Sequence, residues 1–393
     1  MKCMRIASAM LLLATTLLSG CWDQKSIQDL RYLTAMGIDY VNNEYVLYAQ
    51  STDLSSVAKQ ESSTSLQSPP ATISIGKGKT LQSAFDNLQK KAQVPVFLGF
   101  VSSLVFHERL LQKGIISAHD IMNRYGLIRY TKWVFGTREP IDKVLSSHSL
   151  VGFSPLNSLL HQPKDVYEQR SFIEPIQFFR FISSFWEPSN TVLLPNITLY
   201  EHSWKENNKF ISRLSLDGIH AIHRGQWKGY FPSRDLMGLR WMNSDTEFAG
   251  LIIWQNNSAK ATMRIEHVQL EIDPITTGEL PRYEVTVSLK GFVREMMKKV
   301  TPDYIQKDAE KQVADQIRGT YLKGVKAGTD LYGLEESLFQ KDYQAWRKYE
   351  MRKRNKLTPD SLTQIKVHMH LSDSGKMKMD TVKYPDPLGR EQK

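Results

Sequence analysis

Cys21 is the residue whose type and setting most clearly promise chemistry. It closes the run Leu18-Ser19-Gly20-Cys21, behind the positive Lys2 and Arg5 and an apolar stretch from Ala9 to Leu18. That stretch is too short to cross a hydrocarbon core of roughly 30 Å, which takes about 20 apolar residues, so it reads as a processed signal. Ser19 and Gly20 are small enough for a signal peptidase pocket, which places cleavage between Gly20 and Cys21. The Cys21 thiol is the one nucleophile there that can carry a thioether-linked diacylglycerol, and its freed amine can take an N-acyl chain. Trp22, Asp23, Gln24 and Lys25 end the apolar run abruptly, which argues against an uncleaved membrane helix.

The other reactive constellations are weaker. Ser74-Ile75-Gly76-Lys77-Gly78-Lys79-Thr80 ahead of a helix resembles the end of a phosphate-binding loop, but Ile73 stands where the first glycine is required. A basic turn before a helix is the preferred reading. His368-Met369-His370 on a strand would put two imidazoles on one face, as a metal site needs, yet no carboxylate or cysteine pattern completes the set. His220 and His223, three apart in a strand, face opposite sides. Gly152-Phe153-Ser154-Pro155 lacks the second glycine of a nucleophile elbow, and Pro155 removes an N–H that an oxyanion hole would use. These positions therefore nominate no catalytic residue, no metal ligand and no cofactor, although spacing alone does not exclude a Ser, His and carboxylate triad.

Composition narrows the classes further. Cys3 leaves with the signal and Cys21 is acylated, so the two cysteines leave no thiol for a disulfide, a nucleophile or a metal. The net charge is +10, and loss of Lys2 and Arg5 leaves +8 on the processed chain. A basic balance suits an anionic lipid surface; export argues against a nucleic-acid partner. Arg347, Lys348, Arg352, Lys353, Arg354 and Lys356 read first as a solvated helix end whose cations suit the C-terminal dipole. An electrostatic foothold on lipid or an acidic partner is the sharper alternative.

The elements that must carry these residues follow from periodicity. Tyr32–Tyr40 and Tyr45–Gln50 flank Asn42-Asn43 and predict a hairpin. Thr80 caps a helix to Ala92 with Leu81, Ala84, Phe85 and Leu88 on one face, and Val94–Phe106 predicts one buried strand. Short helices are expected at Asp120–Tyr125 and Ile141–Ser146, with a strand at Lys132–Gly136. Residues 218–223 and 226–230 predict paired strands around Arg224-Gly225, and Val268, Leu270, Ile272 and Val285, Val287, Leu289 alternate as half-buried strands. Thr301-Pro302 opens a helix on which Ile305, Ala309, Val313, Ile317 and Tyr321 recur every fourth residue; a second helix runs from Glu335 to Arg354. Ile365, Val367, Met369 and Leu371 return to a strand. The fold class is a multidomain α+β chain with mixed and antiparallel sheets packed with helices. Its expected limits are a signal at 1–20, an N-terminal region at 21–206 containing a polar loop at 51–72, a C-terminal domain at 207–380 and a tail at 381–393.

Several of these segments together resemble one family. Gly20-Cys21-Trp22-Asp23, Ile27 and Ala35-Met36-Gly37-Ile38-Asp39-Tyr40 are similar to the start of the Ger(x)C lipoproteins, the C subunits of spore germinant receptors. Leu110–Ile115, Asn123-Arg124, Leu216–Arg224, Lys228-Gly229-Tyr230, Gly238-Leu239-Arg240-Trp241, Asp330-Leu331-Tyr332-Gly333 and Trp346 continue the likeness in order. His220 and His223 depart from it by standing at usually apolar positions, and Gly99 stands where the family often has Gly-His. The resemblance implies a non-enzymatic, lipid-anchored subunit needed for the germination response to nutrients, on the outer face of the spore inner membrane. It also implies partnership with polytopic A and B subunits, and an N-terminal region divisible in two. Only Cys21 carries a functional role across. Two other classes remain open: a solute-binding lipoprotein that captures a small germinant or nutrient directly, and an exported hydrolase. Each would require a deep pocket with convergent polar groups.

Overall fold

The computed structural model describes residues 30–52, 71–116, 129–147, 156–169, 171–206, 208–298 and 300–372. The signal 1–20, Cys21, most of the 51–72 loop, the expected helix at 120–125, Gly152–Pro155 and the 381–393 tail lie outside them. Within them, the expected hairpin forms from β1 (Arg31–Val41) and β2 (Glu44–Ser51). Asn42 and Asn43 turn it with φ of 52° and 60°, a left-handed pair that matches the twist of adjacent strands.

A first departure comes next. The Gly76-Lys77-Gly78 segment is not a turn but part of β3 (Thr72–Gly78), the edge strand beside β2. Its glycines let α1 (Leu81–Lys91) lie close on the strand: a Cβ on Gly76 would come within 2.1 Å of the Ala84 carbonyl oxygen. Thr80 caps α1 as expected, accepting the Ser83 N–H at 3.1 Å while the Thr80 N–H donates to Ser83 Oγ at 3.0 Å.

The single strand expected over 94–106 is two strands, β4 (Val96–Phe97) and β5 (Ser103–His107), both parallel to β1. Residues 98–102 leave the sheet between them and return when the Ser102 N–H donates to the Thr34 carbonyl at 2.9 Å. Then follow α2 (Glu108–Lys113), β6 (Trp133–Thr137), α3 (Ile141–Ser146), α4 (Pro163–Gln169), β7 (Ile176–Gln177) and α5 (Phe178–Trp186). The sheet is completed by β8 (Thr191–Glu206), β9 (Lys209–His223) and β10 (Gln226–Phe231). Its order is β10-β9-β8-β6-β5-β1-β2-β3, with β4 beside β1 and β7 beside β6.

Helices cover both faces of this sheet's centre. On β5, Leu104 and Phe106 pack with Ile38, Leu47, Phe178 and Phe181, while Val105 faces Ala35, Phe135, Ile141 and Val144. Burial on both faces explains why these strands read as unbroken apolar runs. Residue 207, the expected limit between regions, falls outside the described residues. The strands flanking it pair with each other from Thr191 opposite His223 to Glu206 opposite Lys209. Exposure of 200–205 on this projecting hairpin explains its polar sequence.

The second sheet has the order β11 (Ala249–Gln255), β12 (Ser258–Ile275), β13 (Arg282–Met296), β14 (Leu362–Leu371), with β14 parallel to β13. One face buries Met263, Ile265, Val285, Val287 and Leu289 beneath α6 (Pro302–Lys326), whose Ile305, Ala309, Val313, Ile317 and Tyr321 point inward. Thr301 caps α6 by accepting the Tyr304 N–H at 3.3 Å. The helix expected from Glu335 to Arg354 is divided into α7 (Leu334–Lys341) and α8 (Tyr343–Met351). Asp342 divides them: it leaves the helical region at φ −146°, ψ 78°, and its carboxylate accepts the Ala345 N–H at 2.9 Å.

Ile317 is fully buried and Leu322, on the same helix, is exposed. Ile317→Ala should therefore cost about 2–5 kcal/mol and Leu322→Ala within about 0.5 kcal/mol, compared by urea denaturation midpoints.

Candidate functional site

Cys21 lies outside the described residues, so the geometry to be built is that of the segments sharing its family signature. Among them Arg224, Gly238, Trp241, Asp330, Tyr332 and Trp346 meet at the seam between the two sheets. In the turn joining β9 to β10, Arg224 and Gly225 adopt φ of 51° and 73°, which aims the Arg224 guanidinium at α7 and α8. It donates to Glu350 at 2.6 and 2.8 Å, to Glu335 Oε1 at 3.0 Å and to the Pro188 carbonyl at 3.1 Å. Arginine suits this place because its planar fork serves two carboxylates at once.

Glu335 is the deeper partner, its side chain only 8% exposed. Its carboxylate also accepts Trp346 Nε1–H at 3.0 Å and the Asn355 amide at 2.5 Å. Burial pushes its titration up to about 7, against the pull of the Trp346 and Arg224 donors. Ser189 Oγ hydrogen-bonds Glu336, adding a second polar stitch from the first sheet to α7. Asp330 is buried and accepts the N–H groups of Tyr332 and Glu335 at 2.9 and 2.8 Å, fixing the start of α7. Burial raises its carboxyl, and those backbone donors oppose the rise.

Tyr332, Trp241 and Gly238 fasten the same region. Tyr332 donates its hydroxyl to the Ile317 carbonyl at 2.8 Å, and Trp241 Nε1–H donates to Gln316 at 2.8 Å. Gly238 lies so close that a Cβ would meet both the Gln316 carbonyl and the Tyr332 hydroxyl at 2.4 Å. Beneath the polar stitches the core is continuous: Ile219 and Ala221 of β9 belong to the apolar cluster under α6.

His220 is engaged within the first sheet, and His223 borders the seam with its Nε2 3.8 Å from Glu335. His220 Nε2 meets Asn196 Oδ1 at 3.0 Å and its Nδ1 receives Trp227 Nε1–H at 3.3 Å; burial pushes its titration down to about 3. His223 Nδ1 lies 3.2 Å from Thr191 Oγ1 and 3.1 Å from the Asn190 carbonyl, and burial lowers it as well. His368 and His370 lie on the exposed face of β14, and among the described residues no His, Cys, Asp and Glu cluster is arranged to hold a metal. Arg347, Lys348, Arg352, Lys353 and Arg354 are exposed around the end of α8, with Arg354 pairing to Glu279 at 3.4 Å. Glu335 and Glu350 went unnoticed in the sequence because 111 and 126 residues separate them from Arg224.

A cavity of about 450 Å³ opens at this seam, lined in part by Phe172, Glu174, Arg180, Arg240 and Asp330. Several of its polar groups are already engaged: Arg180 pairs with Glu174 at 3.3 Å, Asn243 donates to Glu174 at 3.1 Å, and Asp330 caps α7. Among the described residues no helix is long and apolar enough to cross a membrane.

These two α+β units, locked through conserved-order signature segments, match known germination proteins. Residues 23–199 match the spore germination protein N-terminal domain, and residues 217–375 match the spore germination B3/GerAC like C-terminal domain. Spore germination protein KC of Bacillus subtilis (strain 168) is 20% identical over 396 residues, covering 95% of this chain and 96% of that protein. The crystal structure of the GerBC protein superposes with a TM-score of 0.54 at 13% identity, covering 89% of this chain and 99% of that one. The chain belongs to the GerAC-like family of spore germination proteins and shares the fold of the GerBC protein.

Glu335 holds its proton more tightly folded than at its ordinary value of 4.5, so stability through this group is greatest below that value and declines as pH rises through about 7. Glu335→Gln removes that slope. Its Tm relative to the parent should rise between about pH 5 and about pH 8 in calorimetry; a constant offset would refute a buried, titrating Glu335.

Proposed function

We propose that this chain is a lipid-anchored, non-enzymatic subunit of a spore germinant receptor, held at the outer face of the spore inner membrane and needed for the response to nutrients. The observation that carries the reading is the Leu18-Ser19-Gly20-Cys21 run standing directly before the family match that opens at residue 23. Diacylglycerol on Cys21 confines the two units to the membrane plane, which raises their effective concentration toward integral A and B subunits. The seam, which locks those units to each other through Arg224, supports a role as a rigid docking body. Engagement of Glu174, Arg180 and Asp330 within the seam cavity supports this reading over direct capture of a small germinant.

Replacing Cys21 with Ala is the direct test. In spores, the variant should leave the inner-membrane fraction and the nutrient response should be lost, while germination by a receptor-independent trigger persists. Full membrane retention with a normal nutrient response would sink the anchored mechanism.

A further inference from the structure

The parallel strands of the first sheet start at one rim, and that rim is unusually aromatic. Tyr32 of β1, Phe97 of β4 and Phe100 of the 98–102 excursion form a cluster with ring centroids 5.7, 5.2 and 5.9 Å apart. Phe97 is 41% exposed and Phe100 52% exposed, although both are large and apolar. Val94 beside them and Tyr130, just before β6, are exposed too.

The cluster is held in place rather than loose. Gly99 lies beneath the Phe97 ring, where a Cβ would approach a ring carbon to 2.5 Å. Lys132 Nζ donates to the Val101 carbonyl at 2.6 Å, and the Val101 N–H donates to Leu98 at 3.1 Å. Residues 98–102 are thus a fixed platform that presents Phe100 outward.

Charge and chain connectivity identify what the platform meets. The segments that build the rim, 30–34, 89–103 and 129–133, contain the exposed Arg31, Lys90, Lys91 and Arg129 and no Asp or Glu; Lys132, the further cation, is buried on the Val101 carbonyl. Exposed aromatics on segments that carry cations and no acids match the headgroup region of an anionic bilayer, where amphipathic rings settle and cations meet phosphate. Arg31, the first residue of β1, also receives the tether: only ten residues separate it from Cys21, a reach of at most about 35 Å.

We infer that the Tyr32, Phe97 and Phe100 rim is a second membrane contact, seated in the lipid headgroup layer directly above the acylated Cys21. The inference rests on the anchored reading for its geometry. Diacylglycerol supplies retention; the rim supplies orientation, turning a tethered body into one with a fixed lower face and directing the projecting β8–β9 hairpin and the second sheet at defined angles to integral partners.

The absence of other thiols in the processed chain permits a site-specific test. Phe100→Cys and, separately, the strongly exposed Met351→Cys are introduced into the full-length lipoprotein, labelled with a nitroxide and reconstituted in phosphatidylglycerol-containing vesicles. Intact mass first reports whether Cys21 carries lipid. On vesicle-bound protein, the ratio of oxygen to nickel-chelate accessibility at residue 100 should be several-fold higher than at residue 351. Equal water exposure at the two sites would overturn the inference while leaving the anchor intact. Should Cys21 prove unmodified, the anchored reading fails by mass alone. The full chain with Cys3→Ser and Cys21→Ser then tests the rim: flotation with anionic vesicles that Phe97→Ser and Phe100→Ser together abolish supports it, and no flotation of the parent overturns it.

Discussion

A carboxylate buried at a domain seam must be answered by donors, and the organisation of this chain follows from how Glu335 is answered. Arg224, Trp346 and Asn355 come from three different places in the sequence and meet on one side chain. Removing a charge from water is costly enough that such a group is either well paired or protonated. Glu335 lies between those limits, with its titration raised to about 7 despite its partners. The seam therefore holds the β9–β10 turn of the first sheet against α7 and α8 only while every contributor is in place. Its polar stitches sit over an apolar core that β9 shares with α6, so direction comes from the charges and cohesion from the burial.

This division of labour separates the molecule's two tasks. The first sheet contains the exposed aromatic rim, and the second presents one covered face and one solvated face. A rigid seam means that whatever orients the first sheet also orients the second. For the membrane-anchored body we propose, fixing orientation matters as much as fixing distance, because docking patches must meet in register with partners that cannot tumble. Family membership places that body among spore germination proteins.

Local elements were legible wherever one face meets water and one meets core. The Asn42-Asn43 hairpin, the Thr80 and Thr301 caps, Ile141–Ser146 and the fourfold spacing on α6 all follow from neighbouring residues alone. Where context decides, the pattern misled. Gly76 and Gly78 resemble a turn because glycine permits one, yet here they clear space for a helix. The apolar run over 94–106 hides an excursion at 98–102 that only its bonds to Thr34 and Lys132 stabilise. Asp342 interrupts a helical period because its own side chain competes for backbone donors. The exposed residues of β8 give no apolar rhythm, since a projecting hairpin buries neither face there.

By itself the sequence determined the mixed α+β class and the family, because periodicities of two and nearly four and an ordered set of short motifs are all local along the chain. Only the tertiary structure decided what those motifs do. Asp330, Gly238, Trp241 and Arg224 are recognisable as family residues without it, but their meeting at one seam depends on contacts spanning up to 126 residues. The same holds for the aromatic rim, where Tyr32 reaches Phe97 and Phe100 because parallel pairing of β1 and β4 brings distant segments to one edge. Long-range pairing leaves no periodic trace in sequence; it exists once the chain has folded.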